Sequence, residues 1–188
     1  RVRELEARWV DHRIAEARRV LEAGRPEEAL TLTDRALELQ PGVAPGRMVR
    51  ARALLALDRP AAAEAELARL SPGPEVLLLT GHIAEMRGDW LNAMEIYRSL
   101  PEDHPRREAA LGRSMQRWRL ANLPSYVHDA LASRRLTRSE LAILIASLVP
   151  QVEALGSGPA PVLSDIVDLP SQKEVVAVVR AGLLESDS

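Results

Sequence analysis

The sequence predicts an all-α fold, a set of stacked helical hairpins followed by a small helical module, and three observations carry that expectation. Gly24-Arg25-Pro26-Glu27-Glu28-Ala29 returns thirty-four residues later as Asp58-Arg59-Pro60-Ala61-Ala62-Ala63, each time between Ala/Leu-rich stretches. Self-similarity at such a period belongs to stacked repeats rather than to one enclosed core. A third copy, Gly88-Asp89-Trp90-Leu91-Asn92-Ala93, follows after a shorter interval. Aromatic residues make up only 3% of the chain and Phe is absent, so Ala and Leu supply the apolar surface. Both lose little side-chain entropy in a helix, which favours helices throughout.

The elements follow in order. From residue 1 to 21, Leu5, Trp9, Val10, Ile14, Ala17, Val20 and Leu21 recur three and four apart, the stripe of an amphipathic helix, and Gly24 ends it. Pro26 suits the first turn of a second helix, where a missing N–H costs nothing, and Glu27 and Glu28 suit its positive end. That helix carries Ala29, Leu30, Ala36 and Leu37 and stops before Pro41-Gly42. A second hairpin is expected over 48–57 and 61–70, broken at Asp58-Arg59 and closed by Ser71-Pro72-Gly73-Pro74. The third runs from Val76 to Leu100 with its break at Gly88-Asp89, before Pro101 and Pro105. A looser fourth begins at Arg106 and contains Leu111-Gly112 and Trp118. There Asn122-Leu123-Pro124 replaces the turn and a short helix, Ser125 to Ala132, follows. Such a unit serves as a cap, because the last apolar face of a stack must be covered.

Beyond it, Leu136-Thr137-Arg138-Ser139-Glu140-Leu141 opens a helix expected to reach Val149. A Gly/Ser/Pro-rich loop over 156–161, the stretch Leu163-Ser164-Asp165-Ile166, and a last helix from Ser171 to Ala181 stopped by Gly182 complete the chain. The expected division is therefore a repeat domain over 1–135 and a small helical module over 136–188.

Residues 10–132 resemble the tetratricopeptide repeat family, in which a small residue of each hairpin's first helix nests against a small residue of the second. The pairs here are Ala17 with Ala29, Ala51 with Ala63, and Gly81 with Ala93. Trp90 and Tyr97 match large core positions of that family. The resemblance implies a right-handed α-solenoid whose inner groove, lined by the first helices, holds a partner protein or peptide. The C-terminal segment is similar in three pieces to an S-layer homology module: the helix start at Thr137, the Ser164-Asp165-Ile166 turn, and the helix ending at Gly182-Leu183. That module's Trp is absent, with Pro170-Ser171-Gln172 in its place. The resemblance implies a saccharide contact at Arg138 and Glu140. Thr137 and Glu140 also have the spacing of a capping box, which accounts for both without any ligand, and Asp165 and Asp168 likewise read as turn-formers, with binding the lesser alternative.

One repeat apart on the first helices stand Arg18, Arg52, His82 and Arg113, beside Ile14, Met48 and Leu78. Cationic side chains along one concave wall would attract an acidic ligand, since guanidinium grips carboxylate bidentately, and the apolar residues would offer pockets to an extended or helical peptide. The competing reading pairs these side chains with Glu16, Glu22 or Glu85 along their own solvated helices, contacts worth only a few tenths of a kcal/mol.

Other chemistries are poorly served. The formal charge is −2, so no overall basic field exists to hold nucleic acid or an anionic membrane. Lys173 is the single lysine among 25 basic residues, a bias that reads as coding composition. The lack of Cys excludes disulfides and thiolate metal sites, and no apolar run reaches the length needed to cross a bilayer. His12, His82, His104 and His128 lack the paired spacing of a zinc hydrolase, and Gly156-Ser157-Gly158 has no following Lys-Ser/Thr to cradle phosphate. The first residue is Arg1, with no leading signal-type segment, so the chain reads as a processed or excised piece of a longer one. The expectation is a non-enzymatic adaptor without cofactor, working in a bacterial envelope assembly or periplasm, with cytoplasm as the other compartment. The alternative is a cell-wall glycan anchor in which the repeats act as a spacer.

Overall fold

The computed structural model describes residues 2–149, 151–152 and 170–184. Among them every regular element is an α-helix: α1 (Val2–Glu22), α2 (Pro26–Leu39), α3 (Ala44–Ala56), α4 (Pro60–Leu67), α5 (Pro74–Met86), α6 (Trp90–Arg98), α7 (Arg107–Ala121), α8 (Ser125–Ala132), α9 (Arg138–Leu148) and α10 (Gln172–Arg180). The all-helical expectation holds. Several starts fall earlier than the apolar pattern suggests, because Pro45, Pro60 and Pro74 occupy the first turns of α3, α4 and α5, where their fixed φ favours the helix. The chain divides into two compact units, Arg1–Trp118 and Arg119–Ser188.

In the first unit, α1–α2, α3–α4 and α5–α6 form three successive hairpins, and their turns share one geometry. Gly24, Asp58 and Gly88 take φ of 75°, 55° and 75°. At each turn the next residue's N–H reaches back five residues: Arg25 to the Val20 carbonyl, Arg59 to Leu54 and Asp89 to Ala84, at 3.1, 2.9 and 3.0 Å. This is the Schellman motif, which satisfies carbonyls left open at a helix end and needs a left-handed residue just beyond it. The sequence echo is thus the trace of a backbone requirement. Helices α2 and α4 then begin on Pro without a side-chain cap, whereas Asp89 caps α6 by accepting the Asn92 N–H.

The six small residues of the expected pairs are all buried. Four positions after each small residue of the second helix stand Thr33, Leu67 and Tyr97, likewise buried. As that side chain grows to Tyr, its opposite number shrinks to Gly81, where an added Cβ would lie 2.7 Å from Cζ of the Tyr97 ring. The hairpins stack through the opposite side of each first helix. Ala53 of α3 packs with Val20 and Ala29. Ile83 of α5 packs with Ala51, Leu54, Ala63 and Leu67. Ala110 of α7 joins Ala84, Ala93 and Tyr97.

In the second unit, Val127, Ala142, Ile143, Val152, Val175 and Val178 form the core, to which α8, α9 and α10 all contribute. The Tyr126 hydroxyl donates to Glu174 at 2.7 Å. Gly182 closes α10 with the same left-handed turn. Leu163 to Ile166, Asp168 and the loop over 156–161 lie outside the described residues.

Two substitutions test this packing by urea denaturation. Asp58→Gly removes a left-handed strain and should stabilise by about 0.5–1 kcal/mol. Gly81→Ala should destabilise by about 1–3 kcal/mol, because the Tyr97 ring has to move.

Candidate functional site

The expected cationic ladder divides into two places. Arg18, Met48 and Arg52 line a single groove of about 610 Å³ together with Glu22, Ala44, Pro45, Leu70, Ser71, Glu75 and Val76. Its walls come from α1, α3, the start of α5 and the turn before it. Ile14 and Leu78 lie elsewhere. Ile14 packs with Val10, Ala17, Ala36 and Val49, and Leu78 packs with Ala93, Tyr97 and Leu100. Both side chains, three residues before the small residue of their helix, turn into the buried core. Met48 shares that register but remains half-buried in the groove.

The charges in this groove are unequal. Arg52 Nη2 donates to Glu75 Oε2, joining α3 to α5. Arg18 and Glu22 are exposed, and neither has an ion-pair partner among the described residues. The own-helix pairing considered for the ladder is met only by His82, whose Nδ1 lies 3.4 Å from Glu85 Oε2. Nearby, Arg13 pairs with Glu16 at 2.7 Å and stacks over Trp9, 5.1 Å from the ring centroid.

His82 and Arg113 belong to a second cluster, gathered around Glu85. The carboxylate accepts from Ser114 Oγ at 2.5 Å, and its side chain is only 12% exposed. Burial pushes the Glu85 carboxyl up, yet hydrogen bonds from His82 and Ser114 and the charge of Arg113 outweigh it, leaving it below its ordinary value. Burial and the neighbouring Glu85 charge drive the Tyr97 hydroxyl upward, so it remains a donor. Ser114 is fully buried, with its hydroxyl engaged by Glu85, so it is not presented to a substrate. Sequence reasoning missed Glu85 as a centre. The signal was present, since Glu85 stands four residues after its small residue, where the earlier hairpins carry the half-buried Leu21 and Leu55.

A third group of charges ties helices together within and between hairpins. Arg47 donates to Glu66 at 2.6 Å, each side chain 12% exposed, and Arg50 pairs with Asp34 at 2.7 Å. Across the next step, Arg87 makes a two-pronged contact with Glu64 at 2.6 and 3.2 Å. These arginines are occupied, so the hollow of about 410 Å³ beside Arg47 and Arg50 reads as a tie between helices.

A tetratricopeptide repeat family model matches residues 20–74. The matched stretch runs from the end of α1 to the start of α5 and contains the Gly24 and Asp58 turns, the Ala51–Ala63 contact, Met48 and Arg52. No curated protein and no solved structure matches the chain. The tetratricopeptide repeat match does not reach residues 136–188. There Thr137 and Glu140 form the full capping box. Thr137 Oγ1 accepts the Glu140 N–H at 3.2 Å, and the Glu140 carboxylate accepts the Thr137 N–H at 2.7 Å. Those bonds hold the Glu140 carboxyl below its ordinary value. Arg138 follows Thr137 as the first residue of α9. Among the described residues, no group of three or more His, Asp or Glu is placed to hold a metal ion, and no helix is long and apolar enough to cross a membrane.

A carboxyl held below its ordinary value contributes stability that is present at neutral pH and lost as pH falls through the folded value. Glu85→Gln should therefore cost stability at pH 7, with the difference from the parent shrinking below about pH 4.5, the ordinary carboxyl value. Urea titrations of both proteins across that range check it.

Proposed function

We propose that the chain is a protein–protein interaction scaffold that takes a segment of a partner protein in the groove lined by Arg18, Met48 and Arg52. The single observation carrying this reading is that residues a repeat apart in sequence, Arg18 and Arg52, line one open groove together with the apolar Met48. The tetratricopeptide repeat match over 20–74 supports the same role. The groove suits a peptide with an acidic residue and an apolar one, since guanidinium and thioether stand side by side in it. His82 and Arg113 play a different part, because both are engaged with Glu85 and serve packing between α5, α6 and α7.

The glycan-anchor alternative rests on sequence likeness alone. Thr137 and Glu140 are occupied in capping α9, and the Ser164-Asp165-Ile166 stretch lies outside the described residues. The scaffold reading is the better supported of the two.

Affinity capture from a native extract followed by calorimetry tests the scaffold reading. Partners retained by the parent protein should be lost when Arg18→Glu and Met48→Glu are combined, with affinity falling tenfold or more, because a reversed charge and a buried carboxylate fall within one contact. Unchanged retention by a variant of unaltered helicity would remove the groove from the account.

A further inference from the structure

Arg18 and Arg52 occupy the same register, each following the small residue of its helix, yet their surroundings differ. Arg52 is bonded to Glu75, which stands in the first turn of α5, where the positive helix end favours a carboxylate. The offset that superimposes Gly81 on Ala51 places Pro45 of α3 where Glu75 stands in α5. Pro45 lines the same groove and carries no charge. The step from α1 to α3 therefore lacks the counter-ion present in the step from α3 to α5. Glu22, four residues after Arg18 on its own helix, is exposed and leaves it unpaired. Basic-before-acidic is the weaker order for such a helical pair.

We propose that Glu75 is a built-in competitor that occupies Arg52 and so confines recognition of a partner's acidic residue to Arg18. The inference rests on the groove reading above. The groove is thereby polarised: α1 presents Arg18 without an ion pair among the described residues, with Glu22 one helical turn further on, whereas α3 and α5 present a neutralised pair, and Met48 lines the groove with both arginines. A peptide carrying one acidic residue beside an apolar one is matched, and a second acidic residue gains little because it must displace Glu75. Exposed to 37% and 46%, the Arg52–Glu75 pair is partly screened by water. Removing the competitor should therefore strengthen binding of a doubly acidic peptide by only roughly two- to fivefold.

The test uses random twelve-residue peptides displayed on phage, selected against the parent, Glu75→Gln and Arg18→Gln, with affinities of the enriched peptides then read by fluorescence anisotropy. Circular dichroism confirms equal helicity, and Glu75→Ala repeats the measurement without a side-chain hydrogen bond. The expected result is one acidic position beside an apolar one for the parent, and a second acidic position for both Glu75 variants with the two- to fivefold gain. Arg18→Gln should lose the acidic preference while keeping the apolar one. Equal binding of a doubly acidic peptide by the parent and Glu75→Gln, or an acidic preference surviving in Arg18→Gln, overturns the role of Glu75 while leaving the groove reading intact. Failure of all the proteins to enrich any peptide overturns the groove reading and this inference with it.

Discussion

Small, buried residues stand on both helices of each N-terminal hairpin, and the unit depends on the close approach they allow. Ala17, Ala29, Ala51, Ala63 and Ala93 expose no surface, and Gly81 gives way to the ring of Tyr97. Interiors are packed nearly as densely as crystals, so a change in one side chain is answered by its neighbour. The progression Thr33, Leu67, Tyr97 against Ala17, Ala51, Gly81 is such an answer. A close crossing also fixes the rotation of each first helix. The residue following the small one is thereby held at a constant angle, which is why Arg18 and Arg52 come to line one groove although thirty-four residues separate them.

Charge is distributed around this frame in three ways. Between α2, α3 and α4, Arg47 and Glu66 neutralise each other with little exposure inside the second hairpin, and the more exposed Arg50–Asp34 pair ties that hairpin to the first. At the third hairpin, a carboxylate stands where the earlier hairpins carry a leucine and draws Ser114, His82 and Arg113 toward it, so α7 is docked partly by hydrogen bonds. Such a network is favourable only while every member is satisfied. In the groove the pairing is uneven: Arg52 is held by Glu75 while Arg18 and Glu22 stand without an ion pair among the described residues, and that inequality gives the surface a direction.

Much of the frame was legible from residue order. The Gly24 and Asp58 turns, the prolines opening the second helices and the small-residue pairs are local requirements of helix ends and crossings, and local requirements leave periodic marks. The groove was legible in part, since the angular register of Arg18, Met48 and Arg52 follows from helical periodicity. What periodicity does not carry is which way a neighbouring side chain turns. Ile14 and Leu78 share the register of Met48 but are drawn into the core by the volumes around them. Contacts such as Arg52 with Glu75 and Arg87 with Glu64 join side chains twenty-three residues apart on different helices. Such pairings depend on how one hairpin sits on the next, and no single-helix pattern encodes them. Glu85 lies between these cases, as a break in an apolar register whose partners become apparent only in three dimensions.

The close crossing can be measured directly, because the chain has no native cysteine to interfere. Ala51→Cys with Ala63→Cys places two thiols at one crossing, where both residues are buried in the same cluster. Mild oxidation should close an intramolecular disulfide within the monomer and raise the melting temperature, since only side chains facing each other at short range meet the bond's geometry. A pair that stays reduced, or that links only separate chains, would show that these small residues do not nest, and the groove built on their register would lose its support.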